Sequence, residues 1–112
     1  MRIEKELMRG AGPAAVLMLL ERGEKYGYEL IQLLDRHSDG VLTMGQSTLY
    51  PLLYNLEAKN LVASRVTQAD NGRPRKYYRL TRKGKQQLAH HRKQWEALAG
   101  AMGKLSTMAS RS

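Results

Sequence analysis

Gln46-Ser47-Thr48-Leu49-Tyr50-Pro51-Leu52-Leu53-Tyr54-Asn55-Leu56-Glu57 opens a stretch, closed by Arg75-Lys76-Tyr77-Tyr78-Arg79-Leu80, whose reading decides the fold. Leu49, Leu52, Leu53 and Leu56 recur at i, i+3, i+4 and i+7, the apolar stripe of an amphipathic helix that must pack on a core. The other face is then Ser47, Thr48, Tyr50, Pro51, Tyr54, Asn55 and Ala58, and no residue from Ser47 to Leu56 is charged. A solvated helix face is normally studded with Lys and Glu. Hydroxyls, rings and an amide suit a surface that enters a nucleic-acid groove, where donors and acceptors read base edges while flanking cations hold phosphates. Downstream, Leu61 to Gln68 and Arg75 to Leu80 are rich in Val, Thr and Tyr. They flank the cationic turn Asn71-Gly72-Arg73-Pro74-Arg75-Lys76, which is a hairpin signal.

Charge points to the same partner. The chain has 112 residues and a net charge of +9, distributed unevenly. Met1 to Asp70 holds 8 basic and 9 acidic residues, net −1, whereas Asn71 to Ser112 holds 11 basic residues and Glu96, net +10. Such asymmetry implies a polyanion met by the second half of the chain, although a basic run by itself also serves solubility. The uncharged helix beside it favours DNA.

A chain of this length supports one domain and gains from a partner subunit. The longest apolar block, Ala14 to Leu20, is too short to cross a bilayer. The acid-bearing start Met1-Arg2-Ile3-Glu4-Lys5-Glu6 does not read as a secretion signal. Having no cysteine, the chain has no disulfide framework and no thiolate chemistry. A cytoplasmic location is expected.

Pro13 is expected to open a helix running to about Arg22 and closed by Gly23, preceded by a separate short helix around Ile3 and Leu7 that breaks near Gly10 and Gly12. Tyr26-Gly27-Tyr28 begins a second helix with Leu30, Ile31 and Leu34 inward, stopping near Ser38-Asp39-Gly40, and Val41 to Thr43 is a candidate strand. Ser47 is the expected N-cap of the third helix, which places Pro51 near the end of its first turn, and Asn60 ends it. Thr81 caps a long final helix. Along it Leu88, Trp95, Leu98, Met102 and Leu105 repeat at coiled-coil-like spacings with His91 in register, so a homodimer is expected. Gly100 and Gly103 weaken its last turns, and the stretch after Lys104 has the composition of a frayed end.

The fold class that follows is mainly α with a small β-hairpin: a winged helix-turn-helix over residues 1–81, a dimerisation helix over 82–105, and a flexible tail over 106–112. Candidate chemistry is confined to binding. No glycine-rich phosphate loop and no acid isolated on an apolar surface points to catalysis. His90 and His91 point to different faces and His37 is remote from both, so no metal set forms and no cofactor is indicated. Two other classes compete with the DNA reading. One is a winged-helix module that docks on protein, which the +10 charge argues against. The other is an RNA binder, disfavoured because narrow A-form major grooves do not admit a helix.

Within the DNA reading, Ser47 and Thr48 at the helix start bind phosphate, while Thr48 and Tyr54 contact thymine methyls or base edges. Asn55 either pairs with adenine or hydrogen-bonds within its helix. Arg73 reaches a minor groove or a phosphate, and Arg75 and Lys76 hold phosphates. Trp95 has two readings: an apolar anchor of the dimer, or a platform on which a flat ligand stacks.

Gln46-Ser47-Thr48-Leu49-Tyr50-Pro51-Leu52-Leu53 with Leu56-Glu57, Arg75-Lys76-Tyr77-Tyr78-Arg79-Leu80-Thr81 with Lys83-Gly84, and Tyr26-Gly27-Tyr28-Glu29-Leu30 together resemble the PadR family of bacterial transcriptional repressors. The resemblance covers about Ala11 to Leu98. It implies a dimeric repressor on a pseudo-palindromic double-stranded operator, released by a small-molecule effector. By that resemblance Ser47, Thr48, Tyr50, Pro51 and Tyr54 enter the major groove, Tyr26 meets backbone phosphate, and Arg73, Arg75 and Lys76 make the wing contacts. The final helix, with Leu88, Trp95, Leu98 and Met102, pairs with its mate and with the partner's N-terminal segment, here Ile3 and Leu7. Trp95 falls where the multidrug-binding members carry a tryptophan, which implies a planar aromatic effector. Asn60 stands where the family commonly has glycine, and the single C-terminal helix is that of the short-tailed branch.

Overall fold

The computed structural model describes residues 1–68 and 71–111, the side chains of 109–111 excepted. The elements in order are α1 (Lys5–Leu19), β1 (Lys25–Tyr26), α2 (Gly27–His37), α3 (Gln46–Ala58), β2 (Val62–Gln68), β3 (Pro74–Leu80) and α4 (Arg82–Arg111). Three helices pack around Val16, Leu17, Leu20, Leu30, Leu49 and Leu53, all nearly or wholly removed from water. At about 1.5–3 kcal/mol for each large aliphatic side chain buried, this cluster is the main force holding α3 against α1 and α2. The inward residues of α3 are the leucines of the sequence stripe: Leu49, Leu53 and Leu56 are buried and Leu52 half-buried. The antiparallel sheet has the order β1-β3-β2, with Val62 opposite Leu80 and Gln68 opposite Pro74. This is the winged helix-turn-helix arrangement, α2 and α3 forming the motif and β2–β3 the wing.

The ends of α2 and α3 follow from local chemistry. Asn60 takes φ 62°, the Leu61 N–H donates to the Leu56 carbonyl at 2.9 Å, and the Asn60 N–H donates to Glu57 at 2.9 Å. That is a Schellman closure made with asparagine in place of glycine. Asp39 (φ 54°) and Gly40 (φ 77°) close α2 in the same manner. Thr81 caps α4 as its sequence position suggests, its hydroxyl accepting the Gly84 N–H at 2.9 Å. The same hydroxyl donates to the Asn60 carbonyl at 2.6 Å, which ties the start of α4 to the end of α3.

Five expectations are corrected. First, α1 is one helix from Lys5 to Leu19 with Pro13 inside it, not two helices broken at Gly10 and Gly12. The buried row Met8, Gly12, Ala15 and Val16 runs through the proline, so tertiary packing outweighs the loss of one hydrogen bond. Gly12 contributes a close approach: a Cβ there would stand 3.2 Å from Leu52 Cδ1. Second, Val41 to Thr43 forms no strand. The sheet edge is filled by Lys25 and Tyr26, which pair with Tyr78 and Tyr77, while the Val41 carbonyl accepts the Ile3 N–H at 3.1 Å. Third, Gly45 is the N-cap of α3, so Ser47 lies inside its first turn and Pro51 is the sixth helical residue. Fourth, α4 remains helical through Gly100, Gly103 and the stretch expected to fray, as far as Arg111. Fifth, Leu88 is 2% exposed in the core of its own chain and does not share the outer stripe of α4.

Candidate nucleic-acid interface

Once Leu49, Leu53 and Leu56 turn inward, the helical repeat forces Ser47, Thr48, Tyr50, Pro51, Tyr54 and Asn55 outward, and all six are exposed. Tyr54 is 73% exposed and Tyr50 44%, so neither ring belongs to the core. Ser47, Pro51 and Tyr54 share a turn-by-turn row, while Thr48 and Asn55 lie on the edge nearer α1. Proline also leaves the Ser47 carbonyl without its i+4 donor on this outer side.

Tyr50 is held on a seat. Gly27, the first residue of α2, lies beneath its hydroxyl, and a Cβ at Gly27 would come 2.5 Å from that oxygen and 2.8 Å from Cζ. The bare Cα allows the ring to cross from α3 to α2 while its outer face stays in solvent. The Tyr26-Gly27-Tyr28 start therefore has a job in shaping the α3 surface, a link that spacing along the sequence does not reveal.

The wing cations divide into three environments. The Arg75 guanidinium lies over the Tyr26 ring, 4.2 Å from its centroid, and the Tyr26 ring meets the Tyr77 ring edge-on at 5.7 Å. Tyr26, expected at a phosphate, is thus half-buried between wing and motif. Lys76 Nζ stands 3.8 Å from a Glu57 oxygen on α3, whose other oxygen accepts the Ser64 hydroxyl of β2. Glu57 therefore couples both wing strands to α3. Arg73 is exposed at the turn and makes no ion pair among the described residues, its backbone N–H resting on the Asn71 side chain at 3.1 Å. Of the two tyrosines that alternate on β3, Tyr78 is buried and Tyr77 faces Tyr26 and Arg65. Burial holds the Tyr78 phenol above its ordinary range.

Two further ion pairs brace the frame. Arg65 of β2 grips Glu24 with two nitrogens, and Arg92 of α4 grips Glu21 beyond α1 at 2.7 and 2.9 Å. Both carboxyls lie below their usual range because of the arginine each accepts from. Further along α4, Trp95, Leu98, Met102, Leu105 and Met108 are each more than half exposed. Leu7 of α1 is likewise exposed, while Ile3 packs partly on the core. No group of three or more His, Cys, Asp or Glu that could hold a metal is found among the described residues. Among the same residues, no helix is long and apolar enough to cross a membrane.

Residues 16–90, carrying α2, α3 and the wing, match the model of the transcriptional regulator PadR-like family. The chain belongs to that family. Among its PadR-like relatives, the transcriptional regulator Rv3488 of Mycobacterium tuberculosis is 37% identical over 95 residues, 85% of each chain. A PadR family transcriptional regulator from Eggerthella lenta is 39% identical and superposes with a TM-score of 0.78 over 89% of this chain and 85% of that one. A transcriptional regulator from Clostridium thermocellum gives 0.81 at 26% identity, covering 89% and 97%. Bacillus subtilis PadR, solved in complex with operator DNA, gives 0.67 at 29% identity over 71% of this chain and 45% of that longer one. The resemblance carried by the Thr48-Leu49-Tyr50-Pro51 and Lys76-Tyr77-Tyr78-Arg79-Leu80-Thr81 segments is thereby borne out.

Proposed function

We propose that this PadR-like regulator binds double-stranded DNA sequence-specifically as a homodimer, each α3 in a major groove and each wing on the flanking backbone. The observation that carries this reading is the exposed, uncharged face Ser47, Thr48, Tyr50, Pro51, Tyr54 and Asn55, set beside wing cations. Such a face offers hydrogen-bond and methyl-contact chemistry to base edges without carrying counter-ions into the groove. Arg73 is the wing's free hand for a minor groove or phosphate, and Arg75 and Lys76 give the wing its positive field. The complex with operator DNA described for Bacillus subtilis PadR supports DNA as the partner.

Dimerisation is supported by the outer stripe Trp95, Leu98, Met102 and Leu105, a long apolar row on a helix that extends past its own core. Leu7 offers a second apolar contact from α1. Two α3 helices related by a twofold axis and about 34 Å apart reach successive major grooves, which requires a pseudo-palindromic site. A dimer seated there represses by occlusion. Trp95 and its mate would flank a space between subunits where a planar aromatic effector stacks and releases the DNA.

The test separates positioning from reading. Binding of R73A/R75A and of T48A or Y54A to a set of duplexes is measured by fluorescence anisotropy. The double arginine variant weakens all duplexes alike, whereas T48A and Y54A change their rank order. Uniform loss in all variants, with no change of rank, removes α3 as the reading element and leaves non-specific or protein-directed binding.

A further inference from the structure

We propose that the groove between the N-terminal segment, α1 and α3 binds a small aliphatic carboxylate of medium-chain fatty-acid type, one per chain. The groove encloses about 620 Å³, within the roughly 300–1,000 Å³ of small-molecule sites. Its floor is apolar and flexible: Met8 and Met44, both buried, with Leu52 and Leu56. Its rim carries Arg2, Lys5, Arg9 and Lys59, and no Asp or Glu lines it. None of these four cations makes an ion pair among the described residues. The Thr43 hydroxyl, in the same wall, is shut from solvent without a hydrogen-bond partner.

These features select among occupants. No aromatic ring lines the groove, so nothing stacks on a planar ligand, whereas methionine thioethers adapt to an aliphatic chain. Phosphate alone would leave the apolar floor unused. Leu7, the exposed apolar α1 residue offered to a second copy, is not part of this lining, so dimerisation through it does not fill the groove. A carboxylate on an alkyl chain satisfies floor and rim together, the head drawn to Lys5 and Arg9 and the tail laid along the methionines. Thr48 and Asn55 of the DNA-facing helix form part of the wall, so an occupied groove lowers affinity for DNA. That last effect rests on the proposed DNA binding; occupancy of the groove does not.

The experiment is calorimetric titration of the full chain, without DNA, with decanoate, decan-1-ol and inorganic phosphate. Decanoate should saturate at one per chain, decanol should bind at least about tenfold more weakly, and phosphate should not saturate. K5Q/R9Q, changed only at exposed positions, should keep the wild-type melting curve and lose about tenfold in decanoate affinity. No decanoate binding overturns the proposal. Equal binding of decanol, or an unchanged affinity in K5Q/R9Q, overturns the carboxylate site. Decanoate that binds only by dissociating the dimer in sedimentation assigns the groove to subunit contact and likewise overturns it. DNA binding is measured separately in the absence of decanoate, so failure of the groove and failure of the DNA reading are told apart.

Discussion

The Tyr50 hydroxyl lies over the bare Cα of Gly27, so one missing side chain on α2 sets the position of one exposed ring on α3. Gly27→Ala would put a methyl 2.5 Å from that oxygen, and the ring has to swing away because its exposed side is open. Stability is expected to change by less than about 1 kcal/mol, since alanine suits the first turn of a helix. Affinity for the preferred duplex should fall by about tenfold, as expected when a groove contact is displaced. Thermal melts and anisotropy on the same preparation check the two halves.

Gly84 contrasts with Gly27. A Cβ there would land on the carbonyl oxygen of Leu61, and backbone, unlike the end of a tyrosine, has little freedom to move. Gly84→Ala is expected to cost about 1–3 kcal/mol by forcing the start of α4 off the end of α3. Chemical denaturation should show a lower midpoint. An unchanged midpoint would mean that the α3–α4 junction is looser than its hydrogen bonds at Thr81 indicate.

Glu57 ties Ser64 and Lys76 to α3, and it also places a negative charge beside the cationic wing. Glu57→Gln frees Lys76 and loosens the wing against α3. Affinity for arbitrary duplexes should rise and the salt slope should steepen by about one phosphate contact, while discrimination between duplexes falls. A salt titration on matched and scrambled duplexes gives both quantities.

Tyr78 carries a pH dependence whose sign follows from burial. Its phenol titrates above the ordinary 10.0 in the folded chain because the interior disfavours the phenolate. The unfolded chain therefore loses that proton first as pH rises. The associated stability is complete below about 10 and is lost between there and the folded value. Tyr78→Phe should flatten the alkaline fall in melting temperature without altering the neutral-pH slope. If the fall persists unchanged, another group drives it.

Much of this architecture was legible in the residues. The leucine spacing of α3 fixes which residues face outward, and Asn60 and Thr81 sit at the helix ends where their chemistry places them. Local rules failed where a partner distant in sequence decides the outcome. Pro13 was expected to start a helix because an isolated segment would break there, yet the packing of Met8 and Ala15 carries α1 through it. Two residues, Lys25 and Tyr26, are too short to signal a strand, and they become one only because β3 offers an open edge. The outward face of α3 was legible, whereas its Gly27 seat, the Glu57 coupling and the cationic groove beside α1 were not. Each of these arises from residues brought together by the helix packing.

The most direct test of the central reading is selection of bound duplexes from a random pool by the purified full-length chain at low salt. The expected result is an inverted repeat with half-site centres about 10 base pairs apart, bound with an affinity that drops about 10³- to 10⁵-fold between roughly 50 and 200 mM salt. Failure to enrich any inverted repeat, with a shallow salt dependence, would contradict paired reading helices in successive major grooves.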